Sequence, residues 1–255
     1  MEILVCVKRV PDTAENEIEV NTDGSDIERD DLVYSVNEWD NYAVEEAIQI
    51  VDKVGGSVTV VSVGDEEAEE VVRREMAMGA DKGILISDGA LAGSDGKGLA
   101  TALAALVKKE NYDLVMTGVQ ADDGAGQVGG MLAAMLDMPF ASLVNFIEGM
   151  DGGKLKIGRE IEGGNQEMNE IKMPCVLSIQ TGINEPRYVS IMGIRKAKGK
   201  PIREVSAGEL NLPENTLGAS GSFTELKALF LPPVEKETEI LEGSNEEIAK
   251  RVLSI

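Results

Sequence analysis

The chain has 255 residues, 43% of them hydrophobic and 27% charged, enough for one large α/β domain, or a domain with a substantial appendage, with a core of its own. Its 46 acidic residues against 24 basic ones leave a formal charge of −22, which disfavours DNA, RNA and anionic membrane as partners and favours proteins or a small ligand held by local geometry. Histidine is absent, which excludes Ser-His-Asp and Cys-His catalysis and removes the commonest metal ligand.

Taken in order, residues 3–8 read as a short buried strand, ending at Lys8-Arg9-Val10-Pro11-Asp12-Thr13, where the proline is expected to stop pairing. Because the chain enters this strand at once and holds no apolar run of bilayer-spanning length, no signal or transit peptide is expected and the expected compartment is the cytoplasm. Cys6 and Cys175 sit in apolar runs and read as small hydrophobes rather than a disulfide. Residues 14–36 read as a hairpin or loop excursion. Val44, Ala47, Ile48, Val51 and Val54 recur at helical spacing until Gly55-Gly56 stops the run. A second strand covers residues 57–63; Asp65 then caps a helix carrying Ala68, Val71, Val72 and Met76. Residues 83–87 form a third strand, and Leu99, Leu103, Leu106 and Val107 mark the next helix.

The fourth unit, residues 113–139, organises the rest. An apolar run, Leu114-Val115-Met116, breaks at Thr117-Gly118, crosses a loop with Gly124 and Gly126, and resumes at helical spacing from Val128 through Met131, Leu132, Met135 and Leu136. Unpaired N–H groups and the dipole at the start of a helix attract anions, and glycines let a phosphate approach the backbone. The loop therefore reads as a phosphate cradle. The alternative is that Asp122 and Asp123 cap the helix themselves, and the loop carries neither a P-loop ending nor a dinucleotide fingerprint. Four strand–helix repeats imply a doubly wound, mostly parallel, Rossmann-like sheet, with ligands beyond the carboxyl ends of its strands.

After Pro139 the pattern turns to period two, in Lys154-Leu155-Lys156-Ile157 and in Pro174-Cys175-Val176-Leu177-Ser178-Ile179, with Gly152-Gly153 and Gly163-Gly164 as turns. These read as antiparallel strands added at the sheet edge. Residues 201–243, with Pro201, Pro213, Pro232 and Pro233, read as an extended arm that lies on a partner chain. Ser244-Asn245-Glu246-Glu247 is a capping box for a closing helix with Ile248 and Val252 on one face.

Six segments carry a family resemblance: Val7-Lys8-Arg9-Val10, Ala43-Val44-Glu45-Glu46-Ala47, Ala77-Met78-Gly79-Ala80-Asp81, Arg159-Glu160-Ile161-Glu162-Gly163-Gly164, Asn184-Glu185-Pro186-Arg187-Tyr188 and, eight residues later, Lys196-Ala197-Lys198. Over essentially its whole length the chain resembles the beta subunit of electron-transfer flavoproteins. The resemblance implies a non-catalytic electron-transfer subunit, paired with an alpha subunit that carries the redox-active FAD. The nucleotide in the beta subunit is AMP in the simple carriers and a second FAD in the electron-bifurcating ones. The Asp-Gly-Asp-Thr run of bifurcating forms is missing here, which favours AMP.

Carried over by residue, the adenosine pocket falls on Cys6, the turn Asn37-Glu38-Trp39-Asp40, and Val63. The phosphate falls on the loop of Gly118, Gln120, Asp122, Asp123, Gly124, Ala125, Gly126, Gln127 and Val128, chiefly on the last two. The family's recognition loop, which grips acyl-CoA dehydrogenases through one apolar anchor, falls on Ile191 with Met192 beside it, and Arg195, Lys196 and Lys198 give a basic patch. Implied divisions are a nucleotide-binding domain (1–183), a recognition loop (184–200), and an arm and helix packed on the alpha subunit (201–255). Val128 stands where AMP-type sequences offer a hydroxyl, and Thr13 where some members place a tyrosine against the flavin. A nucleotide-hydrolysing or adenylating enzyme is the rival from another class; the missing histidine, P-loop and Ser-Gly-Gly loop count against it.

Overall fold

A computed structural model describes residues 1–233, 238 and 240–254 of the chain; residues 234–237 and 239 of the expected arm, and residue 255, lie outside them. The chain divides into two units, Met1–Glu17 with Arg29–Glu225, and Ile18–Glu28 with Leu226–Ile255.

The first unit is built on alternating strands and helices: β1 (Glu2–Cys6), the short hairpin β2 (Arg9–Pro11) and β3 (Tyr34–Val36), α1 (Glu38–Val54), β4 (Ser57–Val63), α2 (Glu69–Met78), β5 (Lys82–Ile86), α3 (Gly96–Lys109), β6 (Leu114–Gly118) and α4 (Val128–Leu136). Then come β7 (Phe140–Asp151), β8 (Lys154–Ile161), β9 (Asn165–Lys172), β10 (Cys175–Ile179), α5 (Ile191–Lys198), β11 (Ile202–Val205) and the single turn α6 (Gly218–Gly221). Nine strands join in the order β11-β5-β4-β1-β6-β10-β7-β8-β9. Pairing is parallel from β11 to β7 and antiparallel for β8 and β9.

Side chains alternate across a strand, and β1 shows the consequence: Ile3 and Val5 join a core with α1 and α2 on one face, while Leu4 joins α3 and α4 on the other. The expected doubly wound sheet is thus the observed one.

Three local expectations are corrected. Pro11 does not end pairing, since it lies opposite Tyr34 in the separate β2–β3 hairpin, where a missing N–H is tolerated at an edge. The segment 174–179 is not an antiparallel edge strand: β10 runs parallel between β6 and β7 with all five residues buried. A strand covered on both faces reads as a continuous apolar run, and Cys175-Val176-Leu177 is one. Finally, the arm does not begin at residue 201. Ile202–Val205 pairs with β5, and Ala207, Leu210 and Leu217 enter the α3-side core.

In the second unit, a bridge pairs Val20 with Ile27, and the Leu229 N–H donates to the Gly24 carbonyl at 2.7 Å. The last helix, α7 (Asn245–Val252), opens on the expected box: Ser244 accepts from the Glu247 N–H, and the Glu247 carboxylate accepts from the Ser244 N–H. Leu226, Phe230, Leu231, Ile240 and Leu253 of this unit are exposed apolar residues.

Candidate functional site

Strands β1, β4 and β5 run outward to one side of the sheet, and α3 then carries the chain back across to β6, on the other side of β1. The crevice at such a reversal, beyond the carboxyl ends of the two strands, is where open α/β sheets place ligands. Here it is walled by residues just after β1, the first turn of α1, the loop after β6 and the start of α4.

Asp40 ties these pieces together. Its buried carboxylate accepts from the Lys8 N–H at 2.8 Å and from the Gly118 N–H at 3.0 Å, pinning the ends of β1 and β6 to α1. Burial pushes the Asp40 carboxyl up to about 7, while the Asn37 amide and the two backbone donors pull the other way. Asn37, fully buried, donates from Nδ2 to the Gln120 carbonyl at 2.8 Å; its Oδ1 has no partner. Gly118 has no room for a side chain, because a Cβ there would lie 2.5 Å from Asp40 Oδ1 and 2.6 Å from Trp39 Cβ. Trp39 donates from Nε1 to Gln180 Oε1 at 3.1 Å, and Gln180 in turn donates to Glu160. Residues 37–40 are therefore the cap and first turn of a helix rather than a free turn.

The loop after β6 leads into α4 through Gly126, whose φ of +65° is left-handed and whose Cβ would lie 3.0 Å from the Val119 carbonyl. Asp123 turns to Lys8, its Oδ1 2.5 Å from Nζ. No side chain caps α4, and its first turn holds no acidic residue. Within this unit α1 and α2 likewise lack a side-chain cap, whereas Asp95 caps α3 and Ser190 caps α5. The start of α4 thus keeps its unpaired N–H groups and partial positive charge. The alternative in which Asp122 and Asp123 occupy that position is not what the fold adopts.

Cys6, Val63 and Val128 are partly buried against the same α3-side core. Burial, followed by the Asp40 charge, pushes the Cys6 thiol far above its ordinary value, so it stays a thiol. Gln120, Asp122, Asp123, Gly124, Ala125, Gly126 and Gln127 are exposed along the outer side. Glu38 lines a separate cleft of about 1080 Å³, with Tyr34, Tyr42, Met78 and Tyr188.

The second set of expected residues lies on α5. Ile191 is 71% exposed and Met192 67%, and Arg195, Lys196 and Lys198 are exposed beside them. Tyr188, 93% exposed, and Ile194, 53% exposed, belong to the same surface and were not singled out from the sequence. Ile191 and Ile194 stand three apart, the spacing that puts them on one helix face. Lys8 was not among the expected site residues either; it contributes its backbone N–H to Asp40 and its Nζ to Asp123.

Among the described residues, no helix is long and apolar enough to cross a membrane, and no group of three or more His, Cys, Asp or Glu is placed to hold a metal ion. The family model for the electron transfer flavoprotein domain matches residues 26–210. The chain is 38% identical over 259 residues to the electron transfer flavoprotein subunit beta of Methylophilus methylotrophus, covering 100% of this chain and 97% of that protein. It is 39% identical over 255 residues to the protein of the same description from Thermoanaerobacterium thermosaccharolyticum, covering 99% and 96%. It is 35% identical over 258 residues to the caffeyl-CoA reductase-Etf complex subunit CarD of Acetobacterium woodii, covering 100% and 97%.

Proposed function

The chain belongs to the electron transfer flavoprotein family as a beta subunit, and from that premise we propose that it forms a cytoplasmic heterodimer with an FAD-bearing alpha subunit, holds a structural AMP, and docks acyl-CoA dehydrogenase-type redox partners. The observation that carries the nucleotide reading is the uncapped start of α4 behind a glycine loop, together with Asn37, which is tied to Gln120 of that loop and keeps a buried Oδ1 that lacks a donor.

The residues fit the group. A phosphate would take the free N–H groups at Gln127 and Val128, and each charge-assisted bond of that kind contributes about 1.5–3 kcal/mol. The repulsion expected from Asp123 is offset by its pairing with Lys8. Cys6 and Val63 offer apolar contact to an adenosine, and the orphaned Asn37 oxygen suits an amino or hydroxyl donor. Since residues 122–127 are exposed, this chain encloses one side of the nucleotide and the alpha subunit supplies the other. The alpha subunit's flavin supplies the electron-carrying chemistry. This chain's residues position and shield it, and they choose its partners: Ile191 and Met192 enter an apolar pocket of the dehydrogenase while Arg195, Lys196 and Lys198 steer the encounter.

The rival occupant is a second FAD at the same crevice, favoured by the open outer side of the loop, along which a dinucleotide could extend. Titration of the purified heterodimer with a reduced acyl-CoA dehydrogenase distinguishes the readings through the visible spectrum. One flavin bleached per heterodimer supports the simple carrier, two flavins support the rival, and no bleaching refutes the carrier function.

A further inference from the structure

Helix α5 exposes its largest apolar side chains and buries only its small Ala197. At eight residues it is too short to hold its shape by propensity alone. It rests on α2 but buries little apolar side chain there, so polar contacts must help fix the surface on which docking depends.

Three anchors do so. On the N-terminal side, the buried Glu45 of α1 accepts three N–H bonds from Arg187: from the backbone at 3.1 Å, from Nε at 2.8 Å and from Nη2 at 3.2 Å. Gln49 donates a fourth at 2.9 Å. Burial alone would raise the Glu45 carboxyl, but these donors hold it below its ordinary value, so it is ionised. Next to it, Glu46 accepts from Asn184 Nδ2 at 3.0 Å, and the same amide reaches the Tyr42 carbonyl at 3.1 Å. In the middle of α5, Gly193 lies so close to α2 that a Cβ would sit 2.3 Å from the Ala77 carbonyl. At the C-terminal side, Arg73 of α2 donates from Nη1 to the Ala197 carbonyl at 2.7 Å and to the Lys200 carbonyl at 3.2 Å, satisfying acceptors the helix end leaves open.

We propose that Glu45, Glu46 and Arg73 are positioning residues for redox-partner docking, a clamp from α1 and α2 that holds α5 with its apolar ridge turned outward. The proposal rests on the reading that α5 is the docking element. None of the three anchors needs to touch the partner; they limit the conformations α5 samples before contact and so lower the ordering cost of binding. The two adjacent carboxylates in Ala43-Val44-Glu45-Glu46-Ala47, with the arginine and asparagine of Asn184-Glu185-Pro186-Arg187, form one side of this clamp, and Arg73 with the Ala197 and Lys200 carbonyls forms the other.

The test uses the full heterodimer with Glu45→Ala and with Arg73→Ala, the latter leaving both α1 carboxylates in place should the former fold poorly. Amide hydrogen exchange through residues 191–198 should quicken by about tenfold or more. The dehydrogenase concentration giving half-maximal rate should rise by about tenfold, with the saturated rate and flavin content unchanged. Wild-type exchange and wild-type half-saturation in a folded variant overturn the clamp. Ile191→Ala is the control for the underlying reading. If it raises half-saturation while the clamp variants do not, only the clamp fails; if it too has no effect, the docking reading fails and the proposal with it.

Discussion

Glu75→Gln probes the least comfortable group in the core. Glu75 is fully buried on α2, neither carboxylate oxygen has a hydrogen-bond partner, and the nearest cation, Arg74 Nε, is 3.9 Å from Oε1. Burial first, with the charges of Asp40 and Glu45 adding to it against Arg74, pushes the carboxyl from 4.5 up to about 8. A carboxyl raised in the folded state binds more protons folded than unfolded. Stability therefore falls as pH climbs from about 4.5, where the unfolded chain ionises, through about 8, where the folded group does. Between about pH 5 and about pH 9 this single group costs roughly 4 kcal/mol. Glutamine keeps the size and leaves a comparable unpaired amide, but it does not titrate. Urea unfolding of the complex across that range should show variant and wild type nearly matched at the acidic end and the variant more stable by roughly 4 kcal/mol at the alkaline end. Contributions from subunit dissociation are common to both and cancel, while the part of the Asp40 titration that is coupled to Glu75 belongs to the difference. Parallel pH profiles would refute the buried, proton-binding Glu75.

At the crevice, Asp40→Asn leaves one oxygen where two N–H donors now bind and sets an amide against the other, so a loss of about 1–3 kcal/mol is expected, with lowered nucleotide content measured after purification. Gly126→Val places a β-branched residue at φ +65° with its Cβ 3.0 Å from the Val119 carbonyl; chromatography of released nucleotides should show occupancy well below stoichiometric, and full occupancy would count against the cradle. Ile191→Ala should slow electron exchange at limiting dehydrogenase while leaving subunit assembly on a sizing column unchanged.

The N-terminal half of the fold was open to reading because each helix there carries an apolar stripe and the junctions after β4, β5 and β6 carry glycines or a capping aspartate. Ser57–Val63 matches its expected bounds, and Asp65 does cap the turn that follows. Beyond Pro139 that regularity lapses. Strand β10 is inserted into the sheet only after the β7–β8–β9 excursion, so its neighbours β6 and β7 lie far back in the chain, and local alternation could not distinguish an interior parallel strand from an edge. Strand β11 offers only Ile202 and Val205 as apolar positions, too weak a signal to separate it from an arm. The crevice was partly legible: the glycines announced the loop, but Asp40 acts on partners 32 and 78 residues away, a relation no local pattern encodes. Family resemblance pointed to residues 37–40, and only the fold shows how their carboxylate and amide are used.

The claim on which the account turns is that the crevice between β1 and β6 holds one adenine mononucleotide. Denaturing the purified heterodimer, then identifying and counting the nucleotides released, tests it directly. One AMP and one FAD per heterodimer is the predicted result; two FAD and no AMP, or a single FAD with no second nucleotide, would contradict it.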